Sequence, residues 1–351
     1  MLIITIRIGK SYYYSKMRTP KDILIRGMRF VYRSITRKTF PHPECECDRQ
    51  IANDLMYEML SSDKPCMITR LGAQESNTTN NYLCVHSNKP MLRKWWEYIS
   101  DNTQTPWWNT NILHTLQVFS GVFPPTIQVA ERFAQRYLDD IPEIDMLACI
   151  HHTEKYMPVP NSAVKIQFET NLPFLVEHPW TRVLKGKRVL VIYPFEQTIR
   201  QQYAKRQLLF DNPDVLPEFE LIILKSVQTI AGNKSQFSDW FEALEYMERQ
   251  IDEIDFDIAL IGCGAYGLPL AAYIKRKGKK AVHLGGGVQL MFGILGKRWV
   301  EDYPKISPWH YLPGKDIDID YTPLFNEHWC YPLPVDTPNN TQAVEGACYW
   351  K

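Results

Sequence analysis

No run of about 18 uninterrupted apolar residues occurs in the 351-residue chain, so no helix is expected to span a bilayer. The opening MLIITIRIGK is broken by Arg7 and lacks a small-residue cleavage site, so it is not read as a secretory signal. Cysteine lacks any clustering pattern. The eight thiols are scattered singly except for Cys45-Glu46-Cys47, which is not C-x-x-C and has no second Cys or His pair at a zinc-like interval. A disulfide or zinc framework is therefore not expected, and a reduced, cytoplasmic setting is. Internal repeats and low-complexity stretches are missing too. Acid is nearly absent from the first 40 residues, where ten Lys or Arg stand against Asp22 alone. The remainder holds 30 basic and 38 acidic residues. A net charge of +1 thus conceals a strongly segregated distribution.

In that basic arm Leu24, Met28, Val31 and Ile35 recur at i, i+4, i+7 and i+11, while Arg26, Arg29, Arg33 and Arg37 fall largely on the other side. The pattern predicts a basic amphipathic helix. Two readings stand level: residues 17–38 make a peripheral contact with an anionic membrane surface, or the helix packs on the domain with solvated arginines. Nucleic acid is disfavoured as a partner, because aromatics for base stacking are not concentrated there beyond Tyr12-Tyr13-Tyr14.

Downstream, short apolar runs alternate with helical patterns. Strands are expected at 66–70, 144–150, 189–193, 219–224, 256–262 and 280–285, each bounded by turn or charged residues. Helices are expected at 48–61, 127–139, 236–254 and 268–277, with Trp-rich helical packing over 91–118. Alternation of this kind predicts an α/β fold: a mostly parallel sheet flanked by helices, Rossmann-like. The expected organisation is a basic arm over 1–45, an α/β catalytic domain over 46–310 and an irregular tail over 311–351 that wraps the surface.

Ligands of such sheets bind outside the carboxyl ends of the strands, and three motifs fall there. IGCGAYGLPLA places Gly262, Gly264 and Gly267 as G-x-G-x-x-G between a strand and a helix, a spacing that lets backbone N–H groups approach an anion. Tyr266 lies inside it. The same glycines also suit a tight turn with no ligand. A nicotinamide or flavin cofactor is disfavoured, because the next strand ends in Leu284-Gly285-Gly286-Gly287 with no ribose-binding acid. HLGGGVQLMFGILGKRW, 283–299, adds Gly286 with the donors Gln289, Lys297 and Arg298, which suit phosphates or sugar hydroxyls; a flexible loop with a solvated Lys-Arg pair is the alternative. Third, Arg70-Leu71-Gly72-Ala73-Gln74-Glu75 points one cation and one carboxylate into a crevice after the run Cys66-Met67-Ile68, with Gly72 relieving the turn.

The stretch ITRLGAQES resembles the RFGDGE element of the GT-D type glycosyltransferases. IALIGCGAYGLPLAAYIKRKGKKAVHLGG is similar to the carboxy-terminal strand, glycine turn, helix, strand and glycine segment of the same proteins, and VLVIYPFEQTIRQQYAKR resembles a segment between the two in bacterial polysaccharide-synthesis relatives. The likeness covers roughly residues 50–300, and order and spacing carry it. It implies a glycosyltransferase moving a sugar from a nucleotide-sugar donor such as a UDP-sugar to a glycan or lipid-linked acceptor in surface polysaccharide synthesis, at the inner face of the membrane. Arg70 and Glu75 are then catalytic. Gly72, Gly262, Gly264, Tyr266, Gly286, Gln289, Lys297 and Arg298 bind the donor. The family's D-x-E, associated with a divalent metal (Mn or Mg), is here Ala73-Gln74-Glu75. One carboxylate is a poor seat for such an ion, so no metal ligand is assigned. Glu75 becomes the general base, with Lys297, Arg298 or Arg206 neutralising the diphosphate. A catalytically inactive relative that binds a nucleotide sugar or glycan is the alternative, and the lost acid is its argument.

Further candidates each admit a structural reading beside a functional one. Asn81 suits sugar hydroxyls or a turn. Glu196 and Arg200 stand at i, i+4, as substrate contacts or a surface ion pair. His151, His152 and Glu154 lack a third ligand at metal spacing. Trp95, Trp96, Trp107 and Trp108 suit sugar stacking less well than core packing.

Overall fold

A computed structural model of the protein describes residues 20–37, 43–150, 152–302 and 321–351; residues 1–19 of the arm, with Tyr12-Tyr13-Tyr14, and His151 lie outside them. Seven strands form one sheet: β1 (Cys66–Arg70), β2 (Met146–Cys149), β3 (Val164–Gln167), β4 (Arg188–Tyr193), β5 (Glu220–Lys225), β6 (Ile258–Ile261) and β7 (Lys280–His283). Their order is β3-β2-β1-β7-β6-β4-β5, and every pairing is parallel. The expected α/β, Rossmann-like architecture is what the chain adopts.

The central strands are largely apolar because helices cover both faces. Alternate residues separate into two cores. Ile68, Met146, Val189, Val191, Leu260 and Val282 pack with helix α2 (Arg49–Ser61) through Met56 and Leu60. Met67, Leu147, Leu190, Ile192, Ala259 and Ala281 face the opposite way, onto α6 (Ile127–Asp140), α8 (Trp240–Asp252) and α9 (Gly267–Arg276). Side-chain caps fix where three of these helices begin. Asp48 accepts from the Ile51 N–H, Thr126 from that of Val129, and Asp239 from those of Phe241 and Glu242.

Three features depart from the sequence expectation. Helix α3 (Ala73–His86) follows β1 directly, although it buries Ser76, Thr78, Thr79, Asn80 and Asn81 and has no apolar stripe. β3 forms a short edge strand with Lys165 exposed. Lastly, the tail from 321 does not merely wrap the surface: Trp329, Val344, Ala347, Cys348 and Trp350 are buried in the first core, because large apolar side chains recur among its polar residues.

The chain leaves β4 toward β5 and β6 toward β7, in opposite directions across the sheet. That reversal opens a crevice at the carboxyl ends. Gly262 at the end of β6 sets its width: a Cβ there would lie 2.3 Å from the Gly285 carbonyl oxygen and 2.6 Å from the Tyr193 ring. Backbone cannot yield as a flexible side chain can. Gly262→Ala is expected to cost about 3 kcal/mol, measured as the shift of the urea unfolding midpoint at unchanged m-value.

Candidate active site

A cavity of about 480 Å3 fills that crevice, with walls contributed after β1, β3, β4, β5, β6 and β7 and from the tail. Arg70 is the last residue of β1. Its side chain lies against Gly285, where a Cβ would stand 2.8 Å from Nε, and its guanidinium is 5.7 Å from the centroid of Phe168. The Arg70 Nε is buried without a hydrogen-bond partner, and among the described residues the guanidinium has no ion pair. A partly buried cation without an ion pair carries a desolvation cost that a bound anion lowers. Beside it, the backbone N–H groups of Gly285 and Gly286 have no acceptor among the described residues.

Glu75 sits in the first turn of α3, where the helix dipole favours a carboxylate. It is buried and folds back over Gly72, whose missing Cβ would lie 2.0 Å from Oε2. The Gly72 N–H donates to the Tyr137 hydroxyl at 3.4 Å; burial, then the Glu75 charge, pushes that phenol well above its usual range. Behind Arg70, His283 is buried, with Nδ1 3.0 Å from the Thr69 hydroxyl and Nε2 without a partner. Burial first, and the Arg70 charge second, push its pKa down to about 3.

Glu169 was not legible from the sequence. It follows β3 with a left-handed backbone (φ +73°), a conformation in which a glutamate is uncommon. Its side chain lines the cavity and is 6% exposed. Burial pushes its pKa up to about 8, with Arg49 pulling the other way. Strand β3 carries too little alternation to announce itself, so nothing marked the position beyond it.

Of the residues singled out above, the cavity gathers Arg70, Glu75, Gly262, Gly264, Tyr266, Gly286 and Arg298. Tyr266 stacks on Trp240 with centroids 5.0 Å apart and places its hydroxyl 3.5 Å from that of Thr229. Arg298 is partly matched already: it donates to the Tyr349 hydroxyl at 3.2 Å and pairs with Glu345.

Others are occupied elsewhere. Gln289 is fully buried; its amide donates to the carbonyls of Leu295 and Tyr349, each at 2.9 Å, and accepts from the Tyr193 hydroxyl at 3.1 Å. It fastens the tail to the sheet, and the donor-binding role expected of it is corrected to a positioning one. Lys297 reaches the Gly346 carbonyl at 3.4 Å and does not line the cavity. Asn81 donates to the carbonyls of Thr105 at 2.7 Å and Trp107 at 3.0 Å, which makes it a buried structural clamp. Glu196 and Arg200 form an i, i+4 ion pair at 3.0 Å on helix α7 (Glu196–Ala204), and Arg206 pairs with Glu218 at 2.9 Å; none of the three lines the cavity. Glu154 Oε1 accepts from the Ile150 N–H at 2.9 Å. Trp107 packs on Tyr98, whereas Trp96 is exposed.

Among the described residues no three His, Cys, Asp or Glu side chains converge as a metal site requires. A second cavity of about 560 Å3 lies on the other side of the start of α3 and shares Ala73 and Gln74 with the first. Asn80, buried there, has an amide nitrogen without a partner. Comparison of the chain with protein-family models, curated proteins and solved structures yields no match.

Proposed function

We propose that the protein is a glycosyltransferase that moves a sugar from a nucleotide-sugar donor to a glycan or lipid-linked acceptor, in surface polysaccharide synthesis at the inner face of the membrane. One observation carries the reading: the Arg70 guanidinium in the crevice, without an ion pair among the described residues, beside the N–H groups of Gly285 and Gly286, which have no acceptor among them. A diphosphate is the anion that such a fork and two amides hold best. In the reaction Glu75 takes the proton of the acceptor hydroxyl, whose oxygen forms a bond to the anomeric carbon. The bond from that carbon to the diphosphate oxygen breaks, and the electron pair leaves with the nucleoside diphosphate, stabilised by Arg70. No step is routed through a metal. The second cavity, which shares Ala73 and Gln74 with the first, has the size and amide lining for the acceptor's hydroxyls.

Release of nucleoside diphosphate from a panel of nucleotide sugars, with and without EDTA, tests this. Donor-specific release that survives EDTA and falls about a hundredfold or more in Glu75→Ala is expected, the scale of losing a general base. Nucleotide binding without release, with every acceptor tried, favours the binding-only relative for which the missing first acid of Ala73-Gln74-Glu75 argues. Absence of nucleotide binding refutes both.

A further inference from the structure

Helix α1 (Pro20–Thr36) docks with the side opposite to the one its apolar pattern suggests. Ile25 is buried against Tyr98 and Ile99, near Tyr32 and Trp107. The Arg29 guanidinium lies 4.3 Å over the Tyr98 ring, and Arg29 and Arg33 both clamp Asp101. Leu24, Met28, Val31 and Ile35 consequently face outward, Ile35 at 76% exposure. Helix α4 (Met91–Ile99) packs alongside and continues the surface with Leu92, 75% exposed, and Trp96, whose ring meets Tyr32 edge-on at 5.9 Å.

A contiguous apolar surface of this kind marks an interaction site rather than ordinary scatter. The charge around it selects the occupant. Arg26 and Arg33 on α1, Arg37 just past its end and Arg93 on α4 border the stripe, Arg33 paired with Asp101 and Arg93 with Glu97, while Asp22 is the only acid in α1. The surface is a convex helix pair, and it combines apolar side chains, a tryptophan and flanking arginines. We propose that α1 and α4 form a docking face for an anionic bilayer, held outward by the Arg29–Asp101–Arg33 clamp. Because Arg29, Arg33 and Asp101 also line the second cavity, docking sets that cavity beside the lipid surface. That last step rests on the transferase reading; the docking itself does not.

Co-sedimentation of the full chain with vesicles of phosphatidylcholine alone, or mixed with phosphatidylglycerol, tests the proposal. Binding is expected to the mixed vesicles, to weaken with added salt, and to be about tenfold poorer on phosphatidylcholine alone. The double variant Leu24→Glu, Ile35→Glu alters only exposed positions and is expected to lose about tenfold or more of the binding, with its unfolding midpoint and nucleotide response unchanged. Tryptophan quenching by brominated lipid is expected to drop in Trp96→Phe. Folded protein that ignores anionic vesicles, or vesicle binding indifferent to the double variant, overturns the proposal. So does an oligomer that the double variant converts to monomer, which would make this face an interface between copies.

Discussion

Arg70→Met is expected to weaken binding of a nucleoside diphosphate about a hundredfold while leaving the ligand-free protein no less stable than the wild type. The two effects have one origin. Arg70 lies half-buried at the end of β1, its Nε shielded from water and its guanidinium unpaired among the described residues. Methionine keeps the length and apolar stem that rest on Gly285 and Phe168, and removes a charge that burial penalises. In the complex the charge faces phosphate oxygens, and each hydrogen bond to a charged group contributes roughly 1.5–3 kcal/mol. Thermal unfolding with graded UDP reads both quantities, because stabilisation by a ligand follows RT ln(1 + [L]/Kd). The midpoint shift should vanish at UDP concentrations that saturate the wild type. Arg70→Lys should recover part of it, since an ammonium restores the charge but not the planar fork. An undiminished shift in Arg70→Met would place the anion elsewhere.

The sheet was legible because its strands are buried on both sides. VLVIY and IALI cannot be mistaken for surface, and residues 189–192 and 258–261 are almost wholly buried. The helices that pack on them carry apolar stripes, and α2, α6 and α8 carry side-chain caps as well. Where those signals fail, so does the reading. Helix α3 buries threonines and asparagines that bond to their own backbone or to neighbours, as Thr78 does to the Gln74 carbonyl and Asn81 to Thr105. Its apolar periodicity is therefore absent. Arg70, Glu75 and the glycines could be placed together because all follow recognisable strands, and strand ends of a parallel sheet share one edge. Gln289 carried the right chemical groups, but which partners use them depends on the tail folding back, a contact about 60 residues away in sequence. The tail's aromatic residues line the cavity for the same long-range reason. Glu169 needed both the unrecognised β3 and a backbone angle that no local pattern encodes.

Glu169 and His283 should give the folded protein a stability plateau between about pH 4.5 and 6.5. In the native state Glu169 titrates near 8 instead of 4.5. The folded chain therefore binds more protons than the unfolded one across that window, and stability falls as pH rises through it. His283 titrates near 3 instead of 6.5. Here the unfolded chain binds more protons, and stability falls as pH drops through that window. At about 1.4 kcal/mol per pH unit each group spans at most about 5 kcal/mol. The two slopes cancel where the windows overlap, leaving about 2 kcal/mol of loss toward pH 3 and a similar loss toward pH 8. Glu169→Gln removes the alkaline slope, so its stability relative to wild type should climb by up to about 5 kcal/mol between pH 4.5 and 8, read from urea unfolding at several pH values. His283→Asn keeps a partner for the Thr69 hydroxyl and should remove the acid slope instead. A constant offset between Glu169→Gln and wild type over that range would mean that the carboxyl is ionised throughout. If the offset grows as expected, the cavity holds a protonated carboxyl at Glu169 at neutral pH, a group able to donate a hydrogen bond or a proton within the site.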